Sequence, residues 1–175
     1  MEGENTVPHC ENFWNKKYKI KIDKEVWKIA INATKETRLR VLHWKLIHNI
    51  YPTGTTLKKI KLRETELCPY CHIPDHIEHF FIQCSKVREL WKEVNNIINV
   101  ITEKKLNLTD QIILTGAKTS DFPDIQAKEI NKINAVILIA KMCIGKYKYG
   151  KGYNLLATFE NESSLRKLSG QTEQE

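Results

Sequence analysis

Residues 68–84 read CPYCHIPDHIEHFFIQC, and this stretch decides how the chain is expected to fold. It holds three of the five cysteines and three of the six histidines in a chain of 175 residues. A C-x2-C pair directs two thiolates at one ion from a tight turn, and a closed tetrahedral zinc site needs two further ligands. The stretch therefore predicts one zinc ion bound within it.

The candidate ligands follow the pattern C-x2-C-x7-H-x4-C and are Cys68, Cys71, His79 and Cys84. His76 lies one helical turn before His79, so it shares a face with His79 and remains an alternative fourth ligand. His72 directly follows the second cysteine of the pair. Adjacent side chains rarely reach one small ion together, and we expect His72 to point away.

A helix is expected to begin near His76 within this stretch. Asp75 is predicted to cap it, with Glu78 completing a capping box. His79 and Cys84 then lie five residues apart. Both face the C-x2-C pair only if the helix ends or bends just before Cys84.

Three cysteines and one histidine usually close the coordination shell and leave no position for water, so we expect a structural zinc ion. Zinc deaminases place His-x-Glu before a P-C-x-x-C pair, whereas here the order is reversed and no second pair follows. The sequence also lacks a P-loop, a G-x-S-x-G elbow and an H-E-x-x-H motif. We therefore predict no enzyme activity for this chain.

Apolar residues recur every three or four positions on both sides of the Cys/His stretch, which is typical of helices. Pro52 ends the helix before it, and Thr53 is expected to cap a short helix that follows Pro52. Ser85 is expected to cap the helix that follows the Cys/His stretch. The chain is 41% hydrophobic with only 7 Gly and 5 Pro, which favours a packed helical core. The predicted fold is a small, mainly α domain with one CCHC zinc knuckle between helices.

We divide the chain into four predicted segments. They are a basic N-terminal arm (1–22), a helical zinc-binding domain (23–150) with its knuckle at 68–84, a C-terminal helix (151–168) and a disordered tail (169–175). Alternating Lys and Ile in FWNKKYKIKI, from residue 13 to 22, indicates a short strand or an irregular segment within the arm.

No part of the sequence indicates a membrane partner. The best apolar run, AVILIA at 135–140, is far shorter than the roughly 20 residues that a membrane helix needs. The first residues lack the basic and apolar regions of a signal peptide. We expect an intracellular protein, nuclear or cytoplasmic, in which reduced cysteines serve as metal ligands.

Positive charge is concentrated near the N-terminus and predicts a polyanionic partner, nucleic acid first. Residues 1–63 hold 14 Lys and Arg against 6 Asp and Glu, whereas residues 64–140 hold 8 against 11. The candidate nucleic-acid contacts are Lys16, Lys17, Lys19, Lys21, Arg38, Arg40, Lys58, Lys59, Lys61, Arg63, Lys146, Lys148 and Lys151. Tyrosines interleave with the last three lysines, where unpaired bases could stack.

The motifs around the knuckle occur in a familiar order. WKLIH at 44–48 and YPT at 51–53 precede the C-x2-C pair, and EHFF at 78–81, Cys84 and Trp91 follow it. This arrangement resembles the zinc-binding region downstream of reverse transcriptase in LINE-type non-LTR retrotransposons. The resemblance covers about residues 25–100, and the helical region up to about 168 is similar to the end of such polyproteins.

The resemblance implies a mostly helical domain in which Cys68, Cys71, His79 and Cys84 hold one structural zinc ion. It also implies binding of RNA, or of single-stranded or target DNA, in support of target-primed reverse transcription. In an intact element a reverse-transcriptase domain lies upstream.

The family's polymerase and endonuclease do not fit before residue 25, and no paired-aspartate polymerase motif occurs. We therefore expect neither activity, and expect a truncated or degenerate element, a fragment or a reused host domain. An alternative function is a structural or protein-interaction scaffold, which the acidic balance of residues 64–140 favours.

Overall fold

The computed structural model describes residues 9–150 and 154–171. Its helices are α1 (His9–Tyr18), α2 (Lys24–Ala33), α3 (Thr37–Ile47), α4 (Gly54–Lys59), α5 (Arg88–Thr102), α6 (Asp110–Thr115), α7 (Ala127–Tyr149) and α8 (Leu155–Gln171), with a π-helical turn at His79–Gln83 and a 3-10 turn at Thr119–Asp121. Within these ranges no β-strand forms, and an isolated antiparallel bridge joins Leu67 and Pro74. The mainly α fold is confirmed. No described helix is long and apolar enough to cross a membrane.

Helix α7 is the centre of the fold and packs against α2, α3, α5 and α8. Ile133, Ile137 and Ile144 recur along its length at helical spacing, and all three are buried. Asn134 is buried beside them, and its side-chain amide exchanges two hydrogen bonds with the backbone of Ala117. These bonds hold the segment after α6 against α7 without leaving the amide unpaired.

The N-terminal segment differs from the predicted strand or irregular arm. Residues 9–18 form α1, and the fully buried Trp14 donates a hydrogen bond of 2.7 Å to the carbonyl of Ile47 at the end of α3. Ile20 and Ile22 are buried as well. The sequence did not indicate this packing, because the lysines lie on the outer side of a segment whose apolar residues join the core.

Two helices that flank the knuckle begin close to their predicted positions. Thr53 caps α4 as expected, because its hydroxyl accepts a hydrogen bond from the backbone N–H of Thr56. Helix α5 begins at Arg88, one turn after the predicted start at Ser85, and the residues between form a turn closed by a bond from Val87 N–H to Cys84 O.

The C-terminal helix is present as α8, and residues 169–171, predicted to lie in a disordered tail, belong to it. Residues 151–153 and 172–175 lie outside the described residues, and with them one predicted nucleic-acid contact, Lys151.

A lysine is buried in the middle of α7. The side chain of Lys141 has no exposed surface, and its Nζ donates a hydrogen bond of 2.8 Å to the carbonyl of Leu114 at the end of α6. Burial lowers the pKa of Lys141 to about 7. Burial, and then the nearby Lys141, lower the pKa of His43 to about 4. The charged form of each group is therefore disfavoured in the folded chain.

Lys141 is expected to make stability rise with pH between about 7 and 10, because the unfolded chain holds a proton there that the folded chain has lost. The largest slope is about 1.4 kcal/mol per pH unit. Lys141→Met removes this contribution. In urea unfolding from pH 7 to 9, the free energy of unfolding of the parent minus that of the variant should therefore increase with pH. His43 titrates below this range. A difference that stays constant with pH would contradict the assignment.

Candidate metal centre

The four predicted ligands lie together at the centre of the knuckle. Their ligand atoms are all within 4.8 Å of one another. The Sγ atom of Cys84 lies 3.9 Å from that of Cys68 and 3.7 Å from that of Cys71. Tetrahedral zinc with Zn–S bonds of about 2.3 Å places two sulfurs about 3.8 Å apart. The spacing therefore fits one zinc ion bound by all four side chains.

A tight turn presents the C-x2-C pair. The backbone N–H of Cys68 bonds to Ile73 O, and the N–H of His72 bonds back to Cys68 O. His72 adopts a left-handed conformation with φ of 56°, which lets the chain reverse within the turn. Its side chain is exposed and lies outside the cluster, while the sulfurs point inward.

A π-helical turn brings the other two ligands together. The N–H of Cys84 bonds to the carbonyl of His79 at 3.0 Å, five residues earlier, where an α-helix would use the residue four before. This single wide turn places both side chains toward the C-x2-C pair. The predicted bend before Cys84 is thus a π turn, and His76, the alternative ligand, is exposed and outside the cluster.

Both ring nitrogens of His79 are buried and have no hydrogen-bond partner among the described residues. Such an orphaned pair is costly unless something else binds a nitrogen. Burial and then the charge of Lys148 lower the pKa of His79, which favours the neutral imidazole that ligates metals. The histidine is therefore in a state suited to zinc.

The thiols at the site differ in their surroundings. Burial raises the pKa of Cys84 to about 12, whereas a hydrogen bond with Ser85 lowers the pKa of Cys71. A bound divalent zinc ion would stabilise the thiolate of each. Cys68 and Cys84 are fully buried, so the cluster is closed on the inside and fits one structural zinc ion.

A buried ion pair lies beside the cluster. Lys148, in the last turn of α7, donates a hydrogen bond of 2.9 Å to Asp75 and lies 3.7 Å from the Sγ atom of Cys68. The side chains of the two charged residues are only 1% and 2% exposed. Asp75 Oδ1 also lies 3.9 Å from Nε2 of His79. The pair therefore touches two of the four candidate ligands.

This pair corrects two predictions from the sequence. Asp75 was predicted to cap the helix near His76, but its carboxylate accepts from Lys148 instead. Lys148 was predicted to contact nucleic acid, but it is buried and paired, and its Nζ also lies 4.6 Å from the ring centre of Phe80. A lysine paired with a buried carboxylate inside the fold is not available to a phosphate.

Aromatic side chains hold the knuckle against the helical core. Phe80 and Phe81 are fully buried, and both rings contact the ring of Tyr51. The indole N–H of Trp91 donates to the carbonyl of Phe81, which fixes α5 to the π turn. Gly54 lets α4 approach, because a Cβ there would lie 2.5 Å from the carbonyl oxygen of Glu66.

Apart from Lys148 and Lys151, the predicted basic contacts fall into three groups. Five are exposed and form no ion pair with the residues that the structure describes: Lys16, Lys19, Lys21, Lys59 and Lys61. Four pair with carboxylates, namely Lys17 with Glu78, Arg38 with Glu36, Lys58 with Glu66 and Lys146 with Glu162. Arg40 and Arg63 are partly buried and donate to backbone carbonyls.

A groove of about 280 Å³ separates α1 from α4 beside the knuckle. Lys17 and Lys59 line it from the two helices, and His76 lines it from the knuckle. Three threonines of the α4 start add hydroxyl groups: Thr53, Thr55 and Thr56. Lys17 is paired with Glu78, which also lines the groove, whereas Lys59 forms no ion pair with a described residue. The other unpaired lysines lie on or directly after α1 and α4.

A comparison with known families supports the zinc site. Residues 8–91, slightly under half of the chain, match a family model described as zinc-binding in reverse transcriptase. The match confirms the resemblance to a reverse-transcriptase zinc-binding region, while the assignment to LINE-type elements stays a prediction. Neither the curated proteins nor the solved structures gave a significant match.

Proposed function

We propose that this chain is a zinc-stabilised nucleic-acid-binding module, because residues 8–91 match the family model described as zinc-binding in reverse transcriptase. Zinc fixes the knuckle, and the knuckle in turn fixes one wall of the groove between α1 and α4. The observation that carries the proposal is the set of exposed lysines, without an ion pair among the described residues, on or directly after the two helices that form the groove: Lys16, Lys19 and Lys21 for α1, and Lys59 and Lys61 for α4. Spaced positive charge of this kind suits a phosphate backbone.

The proposed module binds RNA, or single-stranded or target DNA, and lacks polymerase and endonuclease activity of its own. The closed donor set supports the absence of metal chemistry, since three thiolates and one imidazole leave no position for a substrate. In an intact element the nucleic acid would be handed to an upstream reverse-transcriptase domain.

Removing one unpaired lysine from each of the two helices that form the groove tests the proposal. We expect Lys16→Ala with Lys59→Ala to weaken binding of a fluorescent single-stranded RNA and to reduce the slope of log K against log salt by about 1.4, since each phosphate contact contributes about 0.7. Fluorescence anisotropy between 50 and 300 mM KCl measures both quantities.

A matched control removes the same charge elsewhere. Lys128 and Lys132 are exposed on α7, within the acidic half of the chain, and their double alanine variant should bind like the parent. If both double variants lose affinity equally, the groove has no special role. If the parent binds no oligonucleotide at low salt, the nucleic-acid function itself is wrong.

A protein-interaction scaffold is the second candidate function. It is favoured by apolar side chains exposed beside the knuckle, with Ile60 55%, Leu62 75% and Ile73 48% exposed. Surfaces of this kind often mark contacts between proteins. Under this alternative, Leu62→Asp would disrupt association with a reverse-transcriptase domain, and the lysine variants would not.

A further inference from the structure

A second groove lies on another face of the molecule, between α2 and α3. It encloses about 340 Å³, and its walls include Trp27, Ile31, Arg40, Val41, His43 and Trp44. Three of these apolar side chains are unusually open to solvent: Ile31 59%, Val41 42% and Trp44 49% exposed. Large apolar side chains gathered around one groove indicate a binding surface.

The aromatic rings of this groove are held in place. The ring of His48 lies 4.3 Å from that of Trp44 and 5.2 Å from that of Trp27. His48 thus supports both indoles, while about half of the Trp44 surface stays exposed. A fixed, half-exposed indole is a platform on which a flat ligand stacks with little loss of side-chain entropy.

A buried hydrogen-bond acceptor forms part of the wall. His43 is 2% exposed, and its Nε2 lies 3.0 Å from the carbonyl oxygen of Val26, so the proton is on Nε2. Its Nδ1 is then a lone pair, and it has no partner among the residues described. A ligand carrying an N–H donor would satisfy this atom, and all nucleobases except thymine and uracil carry an exocyclic amino group, while those two carry a ring N–H.

The charges around the groove decide between a nucleic acid and an apolar protein segment. Lys28 and Lys45 are exposed, each one residue from a groove tryptophan, and neither forms an ion pair with a described residue. The nearby acids are already engaged: Asp23 with Lys118, Glu25 with Thr119 and Glu36 with Arg166. Arg40 lines the groove, and the unpaired lysines lie on its two helices, so the free charge on these helices is positive and complements a phosphate chain.

We infer that the groove between α2 and α3 binds an unpaired base of single-stranded nucleic acid, stacked on Trp44 with its phosphates near Lys28 and Lys45. The inference rests on the proposed function, and it adds the location of the site that binds a base. The backbone groove beside the knuckle and this base site are formed by different helices, so each is open to a separate test.

The experiment compares an oligouridine RNA with an abasic chain of equal length and charge. Stacking and hydrogen bonding of one base should make the parent bind the oligouridine roughly 5- to 150-fold more tightly than the abasic chain. Trp44→Ala should erase most of that preference, and Trp44→Phe should keep much of it. The side chain is half exposed, so zinc content and melting temperature should stay near those of the parent.

Each result has a definite meaning. The site is supported if Trp44→Ala loses the preference for oligouridine and Trp44→Phe keeps much of it. Equal binding of both oligomers by the parent, or a preference that survives Trp44→Ala, overturns the base site and leaves the proposed function standing; a protein partner would then occupy the groove. Failure of the parent to bind either oligomer overturns the proposed function as well.

Discussion

Replacing Cys84 with serine is expected to remove zinc from the purified protein and to lower its melting temperature by roughly 10 °C or more. The physical reason is that structural zinc binding contributes on the order of 10 kcal/mol to folding in small zinc domains, and each kcal/mol shifts the melting temperature of a chain this size by about 2–4 °C. Cys84 is fully buried and lies within 4 Å of both other sulfurs, so serine at this position removes one of the three clustered thiols. Elemental analysis and calorimetry measure the two effects.

Three further variants separate zinc loss from simple destabilisation. His79→Ala should behave like Cys84→Ser, whereas His76→Ala changes an exposed side chain outside the cluster and should retain zinc. Cys143→Ser alters a buried cysteine of α7 that is not among the four clustered residues, so it should lose stability while its zinc content stays unchanged. Zinc loss in His76→Ala with retention in His79→Ala would show that the fourth ligand is wrongly assigned.

Lys148→Met is expected to destabilise the protein by about 3–5 kcal/mol, because it leaves the buried carboxylate of Asp75 without its partner. Zinc should also dissociate more readily, by roughly 10- to 100-fold in affinity, since Lys148 contacts Cys68 and supports its thiolate. Chemical unfolding and competition with a chelator measure these effects.

The same substitution at Lys128 provides the control, since that lysine is exposed near the start of α7 and its loss should change stability by less than about 0.5 kcal/mol. Adding Asp75→Asn to Lys148→Met removes the stranded charge and should recover part of the stability. If the double variant loses as much unfolding free energy as the two single variants combined, the two residues are not coupled, and they contribute only through packing.

Local patterns in the sequence were sufficient for much of this fold. The Thr53 cap and the helix now called α5 depend on short-range spacing, and both lie within a turn of their predicted positions. The four clustered side chains were also found from spacing, because the C-x2-C pair and the two later residues lie within one short segment. Interactions between near neighbours in the chain leave a periodic trace that can be read directly.

Long-range contacts left no such trace. The partner of Asp75 is Lys148, 73 residues away, and nothing about a lysine among tyrosines indicates burial. Lys141 is likewise buried by tertiary packing against the end of α6. The π turn at the knuckle adds one residue to a helical turn, which apolar periodicity does not detect. Each miss arose where packing outweighed local preference.

The contact between Lys148 and the knuckle also bears on where an autonomous folding unit can end. The family match stops at residue 91, yet the residue that neutralises the buried carboxylate beside the zinc ligands lies near the end of α7. A polypeptide cut at residue 91 would keep every candidate ligand and still lack this partner. Any relative reduced to the matched segment must therefore replace that charge from another chain, or dispense with the acid.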